Sequence, residues 1–361
     1  MINVTKTYLP DKEKYKSYID QIFDSGKLTN HGNQYWELER RLKEYLGVEN
    51  LLLVSNGTLA LQIAYKVLGL KGDVLTTPFS FVATTSTLVW EGLQPIFVDI
   101  DKESLNLDAN KIEKQITQKT SAIVATHVFG NACDIEQIEW IAKRHKLKVV
   151  YDAAHAFGVN YDGSSILNQG DATAISFHST KLFHTIEGGA IVFKDPEMYK
   201  RAKRAINFGI ISENEINGLG INSKLNEFQS AMGLCVLDDI DKILNQRKEK
   251  YDNYIKELSN IKNIGYQKRN ERSTNNYSYF PVLFENEEVL LKTVKELNQN
   301  DIYPRRYFNT SLDTLNYLES NQVMNISRDV SKRILCLPFY DSLEVEDQHK
   351  IVGIIRKVVE N

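Results

Sequence analysis

Three places along the chain carry residue types suited to chemistry, each where an apolar run ends. Lys181 stands in "SFHSTKLFHTIEGGAIVF" (176–193), close behind the apolar run "ATAISF", with His178 and His184 around it and the Gly188–Gly189 pair just beyond. A lysine at a strand end can simply snorkel to the surface. When partly desolvated, it is also the amine that forms a Schiff base with a carbonyl. Asp152 ends the run in "KVVYDAAHAFG", 29 residues before Lys181 with one further strand between them. It reads either as a helix N-cap or as a carboxylate at the carboxyl end of a strand, where open α/β sheets bind ligands. There it can hold a cationic ring nitrogen. His155, three residues on, is either a second ligand contact or a hydrogen-bonded, half-buried histidine.

The third place is "LLLVSNGTLAL", where a strand ends at Ser55 and a helix begins near Gly57–Thr58. Free N–H groups and the positive dipole end of a helix favour an anion. Gly57 lets an anion approach the backbone, and Thr58 adds a hydroxyl. The plain alternative is an N-cap by Ser55 or Asn56, and the turn matches neither the Walker A nor the GxGxxG pattern. Each feature alone has an ordinary structural explanation. Together they ask for one ligand with an anionic end, a cationic ring nitrogen and an aldehyde. Pyridoxal 5′-phosphate (PLP) has all three.

The elements that must position these residues alternate. Short β-branched runs at 50–55, 73–78, 94–100, 121–128, 148–154, 172–177 and 189–193 read as strands. "GTLALQIAYKVLGL" and "DIEQIEWIAKRH" between them follow the helical period. Such alternation predicts an α/β fold with a largely parallel, seven-stranded sheet between helices. After about residue 196, "KDPEMYKRAKRAI" and "LNEFQSAMGLCVLDDIDKILNQRKEKYDNYIKEL" read as long helices, the second as one connector. Mixed strand and helix signals follow. The expected division is a large domain over 1–246, including the N-terminal segment, and a smaller α+β domain over 247–361. The 361-residue length agrees with about two domains.

Composition removes several functional classes. Hydrophobic residues make up 42%, charged residues 25%, and the formal net charge is −3. No basic excess points to nucleic acid or an anionic membrane. No apolar stretch is long enough to span a bilayer. The polar N-terminus is not a signal peptide, so the cytoplasm is the expected compartment. Cys133, Cys235 and Cys336 are odd in number and far apart, which fits reduced thiols. No HxxxH or CxxC pair occurs, so no metal site is expected.

Across nearly its whole length the chain resembles the DegT/DnrJ/EryC/StrS sugar-nucleotide aminotransferases, with the type I PLP fold. The resemblance is carried by "LTNHGNQYWELERRLKEYLG", "SNGTLAL", "TTPFSFVATTST", "PIFVDID", "HVFGNACDIEQI", "YDAAHAFG", "SFHSTK", "EGGAIVF" and "GINSKLNEFQSAMG". It implies that Lys181 forms the Schiff base with PLP and that Asp152 pairs with its ring nitrogen. It further implies His155 near the ring hydroxyl, Phe81 stacked on the ring, and Gly57, Thr58 and Ser176 around the phosphate. Asn222, in "GIN", would reach the phosphate of the partner subunit, which implies a homodimer with shared active sites. The sequence departs from the family at "SKLNE", in the loop "LFHTI", and at Ile186, where the family has glycine.

The implied activity is transamination of a nucleotide-linked keto-deoxysugar with L-glutamate as amino donor. The form "SFHxTKxFxTxEGGAI" is similar to the branch that makes dTDP-4-amino-4,6-dideoxyglucose from dTDP-4-keto-6-deoxyglucose, for an O-antigen or another surface glycan. The alternatives are amination at C3 of a dTDP-3-keto-6-deoxyhexose and a non-catalytic regulator of the same fold. Lys181 argues against a regulator, which has no need of it. It argues equally against the related sugar dehydratases, which carry histidine there. Cys336, in "ILCLPFY", reads as a strand residue and not as the mobile nucleophile of a desulfurase.

Overall fold

The computed structural model describes residues 1–318 and 322–360. Its seven principal strands are β1 (Leu51–Val54), β2 (Asp73–Thr76), β3 (Gln94–Phe97), β4 (Thr120–Thr126), β5 (Lys148–Asp152), β6 (Ala172–Ser176) and β7 (Gly189–Phe193). They form one sheet in the order β1-β7-β6-β5-β4-β2-β3. β7 runs antiparallel to both its neighbours, and the pairs from β6 to β3 are parallel. Each strand overlaps the run expected for it; Thr120–Thr126 begins one residue before its run, and most strands end one to three residues earlier than expected. The chain beyond them turns away to build the loops of the site.

Helices cover both faces, so the strands read as continuous apolar runs and not as an alternation. Leu51 and Leu53 of β1 point into a core with α2 (Asn33–Leu46), α5 (Ile135–His145) and α7 (Glu227–Asp238). Leu52 and Val54 point the other way, into a core with α3 (Gly57–Leu68) and α6 (Pro196–Ala205). α4 (Val82–Trp90) adds Leu88 to that second face.

The expected single helix after residue 225 is two. α7 stops at Asp238, and α8 (Ile240–Leu258) starts after a break at Asp239, whose φ/ψ are −99°/2°. The two parts have different burial demands. Ala231, Gly233, Leu234, Cys235, Val236 and Leu237 bury α7 nearly all round, whereas α8 is amphipathic. One straight helix cannot serve both environments. The Tyr8 hydroxyl donates to Asp239 Oδ2 at 2.9 Å and pins the break.

Ile240 and Ile243 of α8 belong to the first core, while Tyr254 and Leu258 join a third. That third core packs α9 (Glu287–Gln299) and α11 (Val345–Val359) against Pro281–Phe284 and Ile334–Cys336. The latter two strands pair with each other antiparallel, and Ile264–Gly265 adds a third strand. Because α8 feeds both cores, we propose the expected division at 246/247 as the boundary between a large and a small domain. The N-terminus crosses to the small-domain side, where Ile2 and Asn3 pair in parallel with Ile302 and Tyr303. Cys133, Cys235 and Cys336 are buried and free. Among the described residues no helix is long and apolar enough to cross a membrane, and no cluster of His, Cys, Asp and Glu is placed to hold a metal ion.

Candidate active site

Register brings the ends of three strands together. Thr126 of β4 lies opposite Asp152 of β5, and Asp152 opposite Ala174 of β6. Ser176, which ends β6, lies opposite Gly189 of β7, and Gly189 lies opposite Val54 of β1. The first turn of α3 therefore starts beside Ser176. A cavity of about 290 Å³ opens at this edge. Gly57, Thr58, Phe81, Asp152, His155, Ser176 and Lys181 all line it.

The turn into α3 has no room for a side chain. A Cβ on Gly57 would lie 2.9 Å from the Ser176 Cβ, and one on Gly189 would lie 2.8 Å from the Asn56 carbonyl carbon. Asn56 Oδ1 accepts the N–H of Leu59 at 2.8 Å, capping the helix. The N–H groups of Gly57 and Thr58 are left without an intrahelical acceptor, at the positive end of the helix dipole. The N-cap and the anion cradle are thus compatible: Asn56 performs the first and leaves the second open.

Asp152 is 6% exposed. Its Oδ1 accepts from the Ala154 N–H at 3.0 Å and its Oδ2 from Thr84 Oγ1 at 2.7 Å. Burial pushes its pKa up, while these two donors and the charge of Lys181 push it down, with burial prevailing. Lys181 shows the mirror image. Desolvation lowers its pKa, against the opposing influence of Asp152 and Tyr307. An amine with lowered pKa is more often neutral, which is the state a nucleophile or general base needs. Its ammonium lies over the Tyr279 ring, 5.9 Å from the centroid.

The loop that carries Lys181 is tied to itself. The Lys181 N–H donates to the His178 carbonyl at 2.8 Å, and His178 Nδ1 meets Thr180 Oγ1 at 2.8 Å. Phe177 exchanges backbone hydrogen bonds with Gly188 and Thr185. Ile186 adopts φ 69°, the left-handed conformation glycine adopts freely.

His155 Nδ1 accepts the Phe129 N–H at 3.3 Å, which leaves the proton of the neutral ring on Nε2. Burial, reinforced by Lys181, holds its pKa well below the ordinary 6.5, so the ring is neutral near pH 7. Its faces meet Tyr279 and Phe308, with ring centroids at 4.7 and 5.9 Å. Phe81 is the N-cap residue of α4 and half-exposed, so its ring is free to cover a ligand.

Asn222 does not line this cavity in its own chain. It is exposed, and its Oδ1 accepts from Lys224 Nζ at 2.8 Å. The preceding segment exposes Phe208, Ile210, Ile211, Ile216, Leu219 and Ile221. Several lining residues escaped the sequence reading: Thr126, Glu187, and the small-domain side's Tyr279, Arg305, Tyr307 and Phe308; so did Thr84, which does not line the cavity but donates to Asp152.

The residues present fit PLP. A glycine-only helix N-terminus suits a phosphate, Lys181 suits an aldehyde, and Asp152 suits a ring nitrogen. Thr126 Oγ1 is buried without a hydrogen-bond partner among the described residues, so the cavity floor has polar capacity to spare.

Comparison with known proteins gives a consistent result. The model of the DegT/DnrJ/EryC1/StrS aminotransferase family matches residues 10–356. The dTDP-4-amino-4,6-dideoxy-D-glucose transaminase of Shigella dysenteriae is 41% identical over 99% of this chain and 99% of its own. The enzyme of the same name from Escherichia coli is 37% identical over 98% of both chains. The crystal structure of DesI, determined in the presence of its TDP-sugar product, superposes with a TM-score of 0.94 at 28% identity, covering 99% of this chain and 93% of that one.

Proposed function

The chain belongs to the DegT/DnrJ/EryC1/StrS aminotransferase family, and from that premise we propose that it is a PLP-dependent transaminase of a nucleotide-linked keto-deoxysugar. The substrate is dTDP-4-keto-6-deoxyglucose, the amino donor L-glutamate, and the product dTDP-4-amino-4,6-dideoxyglucose for a surface glycan. The observation that carries this reading is the meeting of Lys181, Asp152 and the Gly57–Thr58 turn at one cavity. The dTDP-sugar follows the names of the 41% and 37% identical relatives.

When bound, PLP supplies an aldehyde that exchanges amines and a ring that accepts electrons. The chain's own groups do the rest. The backbone N–H groups of Gly57 and Thr58, with the hydroxyls of Thr58 and Ser176, bind the phosphate. Asp152 holds the ring nitrogen, and neutral His155 offers Nε2–H to the ring hydroxyl. Lys181 would hold the aldehyde, and its free amine would take the proton from the substrate Cα as general base and deliver it to the cofactor carbon as general acid. Phe81 covers the ring and excludes water. The working unit is a homodimer in which Asn222 completes the partner's phosphate site. The exposed apolar side chains from Phe208 to Ile221 support this reading, since burial against a second copy removes them from water. The protein acts in the cytoplasm.

The test is incubation with glutamate and a panel of dTDP-, GDP- and UDP-linked 4-keto and 3-keto sugars, with products identified by NMR. The expected outcome is amination at C4 of the dTDP-linked 4-keto sugar. Amination at C3, or no amination of any of them, overturns the assignment.

A further inference from the structure

We propose that Thr84 is a positioning residue for the reaction, holding the Asp152 carboxylate in its charged, hydrogen-bond-accepting form and aiming its free lone pairs into the cavity. The inference rests on the cofactor reading above and adds a residue to it.

The geometry singles this threonine out among its neighbours. A threonine within a helix ordinarily satisfies its hydroxyl on the carbonyl one turn back. Thr87 does so, donating to the Ala83 carbonyl at 2.7 Å. Thr85 Oγ1 is buried with no hydrogen-bond partner among the described residues. Thr84 instead reaches across the sequence to Asp152 Oδ2 at 2.7 Å, and it is fully buried. A hydroxyl that donates to a carboxyl oxygen favours the ionised state, because a protonated oxygen at that position would itself need an acceptor.

Among the described residues no other side chain donates a hydrogen bond to this carboxylate. Oδ1 takes the Ala154 N–H at 3.0 Å, so Thr84 is the side-chain hydrogen-bond donor to Asp152 among the described residues. Of the titratable groups facing the carboxylate, Lys181 and the buried Tyr65 act on it through space, without a hydrogen bond to it. Burial favours the protonated carboxyl, and a neutral carboxyl cannot keep a ring nitrogen charged.

Helix geometry couples this hydrogen bond to the cavity wall. The Thr84 N–H donates to the Phe81 carbonyl at 3.2 Å, within the first turn of α4. One helical turn therefore sets both the aromatic at the cavity mouth and the carboxylate at its floor.

The test uses holoenzyme reconstituted with PLP labelled with ¹⁵N at the ring nitrogen, whose chemical shift reports protonation directly. Thr84→Ser should keep the wild-type signal. Thr84→Val, isosteric but without a hydroxyl, should move it toward the value of Asp152→Asn and lose turnover on the order of tenfold or more. Thr84→Ala gives the same reading should the valine chain not fold. A wild-type signal in both the valine and alanine variants, with Asp152→Asn shifted, overturns the role of Thr84 and leaves the cofactor reading intact. An unshifted Asp152→Asn, or no PLP attached at Lys181, overturns the cofactor reading itself.

Discussion

A side chain on Gly57 would collide with Ser176: the added Cβ would lie 2.9 Å from the Ser176 Cβ and 3.3 Å from its Cα. Ser176 ends a buried strand paired to β7, so it cannot retreat cheaply. Gly57→Ala should therefore shift the helix start away from the phosphate position. Overpacking costs about 1–3 kcal/mol, so PLP affinity should fall by about fivefold to a hundredfold while the fold persists. Absorbance titration with PLP measures this, and unchanged affinity would place the phosphate elsewhere.

Lys181 should be the single point of attachment. Borohydride reduction of the yellow holoenzyme should fix the mass of the cofactor on the peptide containing Lys181. Lys181→Ala should retain the circular-dichroism spectrum and lose turnover. Label on another lysine would refute the assignment.

Two buried histidines should make the apoprotein acid-sensitive. Burial depresses His127 to about 3, and His155 also lies well below 6.5. A group depressed in the folded state binds its proton more readily when unfolded, so stability is full above 6.5 and falls with pH below it. From pH 7 to pH 5 the loss from His127 alone is roughly 2 kcal/mol, and His155 adds to it. Urea unfolding of apoprotein at pH 7, 6 and 5 reads the slope. A His127→Gln chain should show a shallower one; an equal slope in both chains would contradict the account.

Ile186 holds a left-handed φ of 69° with a β-branched side chain. That conformation costs a non-glycine residue roughly 1–2 kcal/mol. Glycine relieves it at an entropic cost of about 0.5–1 kcal/mol in the unfolded state. Ile186→Gly should thus stabilise the chain by up to about 1 kcal/mol, seen as a higher denaturant midpoint. A lower midpoint would mean the half-exposed isoleucine packs against something in the assembly.

Subunit mixing tests the shared site. A Lys181→Ala chain has Asn222 intact, and an Asn222→Ala chain has Lys181 intact. If Asn222 completes the partner's phosphate site, heterodimers should hold one complete site and exceed the activity of either parent. Absence of recovery in verified heterodimers would assign Asn222 to its own subunit or to no role at the cofactor. A fully active monomer in sedimentation would end the dimer proposal.

Much of this protein was legible in the chain because its signals are local. Strands buried on both faces leave apolar runs, and helices between them leave a 3.6-residue period. Both were readable in the chain, as were the candidate side chains at run ends, Asp152, Lys181 and the Gly57–Thr58 turn, which line one cavity. Sheet register then does what adjacency along the chain cannot. Thr126 opposite Asp152, and Gly189 between Val54 and Ser176, bring separate run ends to one cavity.

The remaining features depended on tertiary structure, for identifiable physical reasons. The break at Asp239 is invisible to periodicity because both halves are good helices; it lies where the chain passes from α7, buried nearly all round in the first core, to amphipathic α8, which runs on from that core into the third. Tyr279, Arg305, Tyr307 and Phe308 carry no sequence signal, since they reach the cavity only when the small-domain side packs over the strand ends. Thr84 looked like one threonine among several in "TTST". Only the fold shows that its hydroxyl, 68 residues away in sequence, meets Asp152. Local patterns thus determined the elements and the reactive side chains, while long-range packing decided which neighbours set their charge and geometry, because those contacts form between elements and leave no periodicity within any one of them.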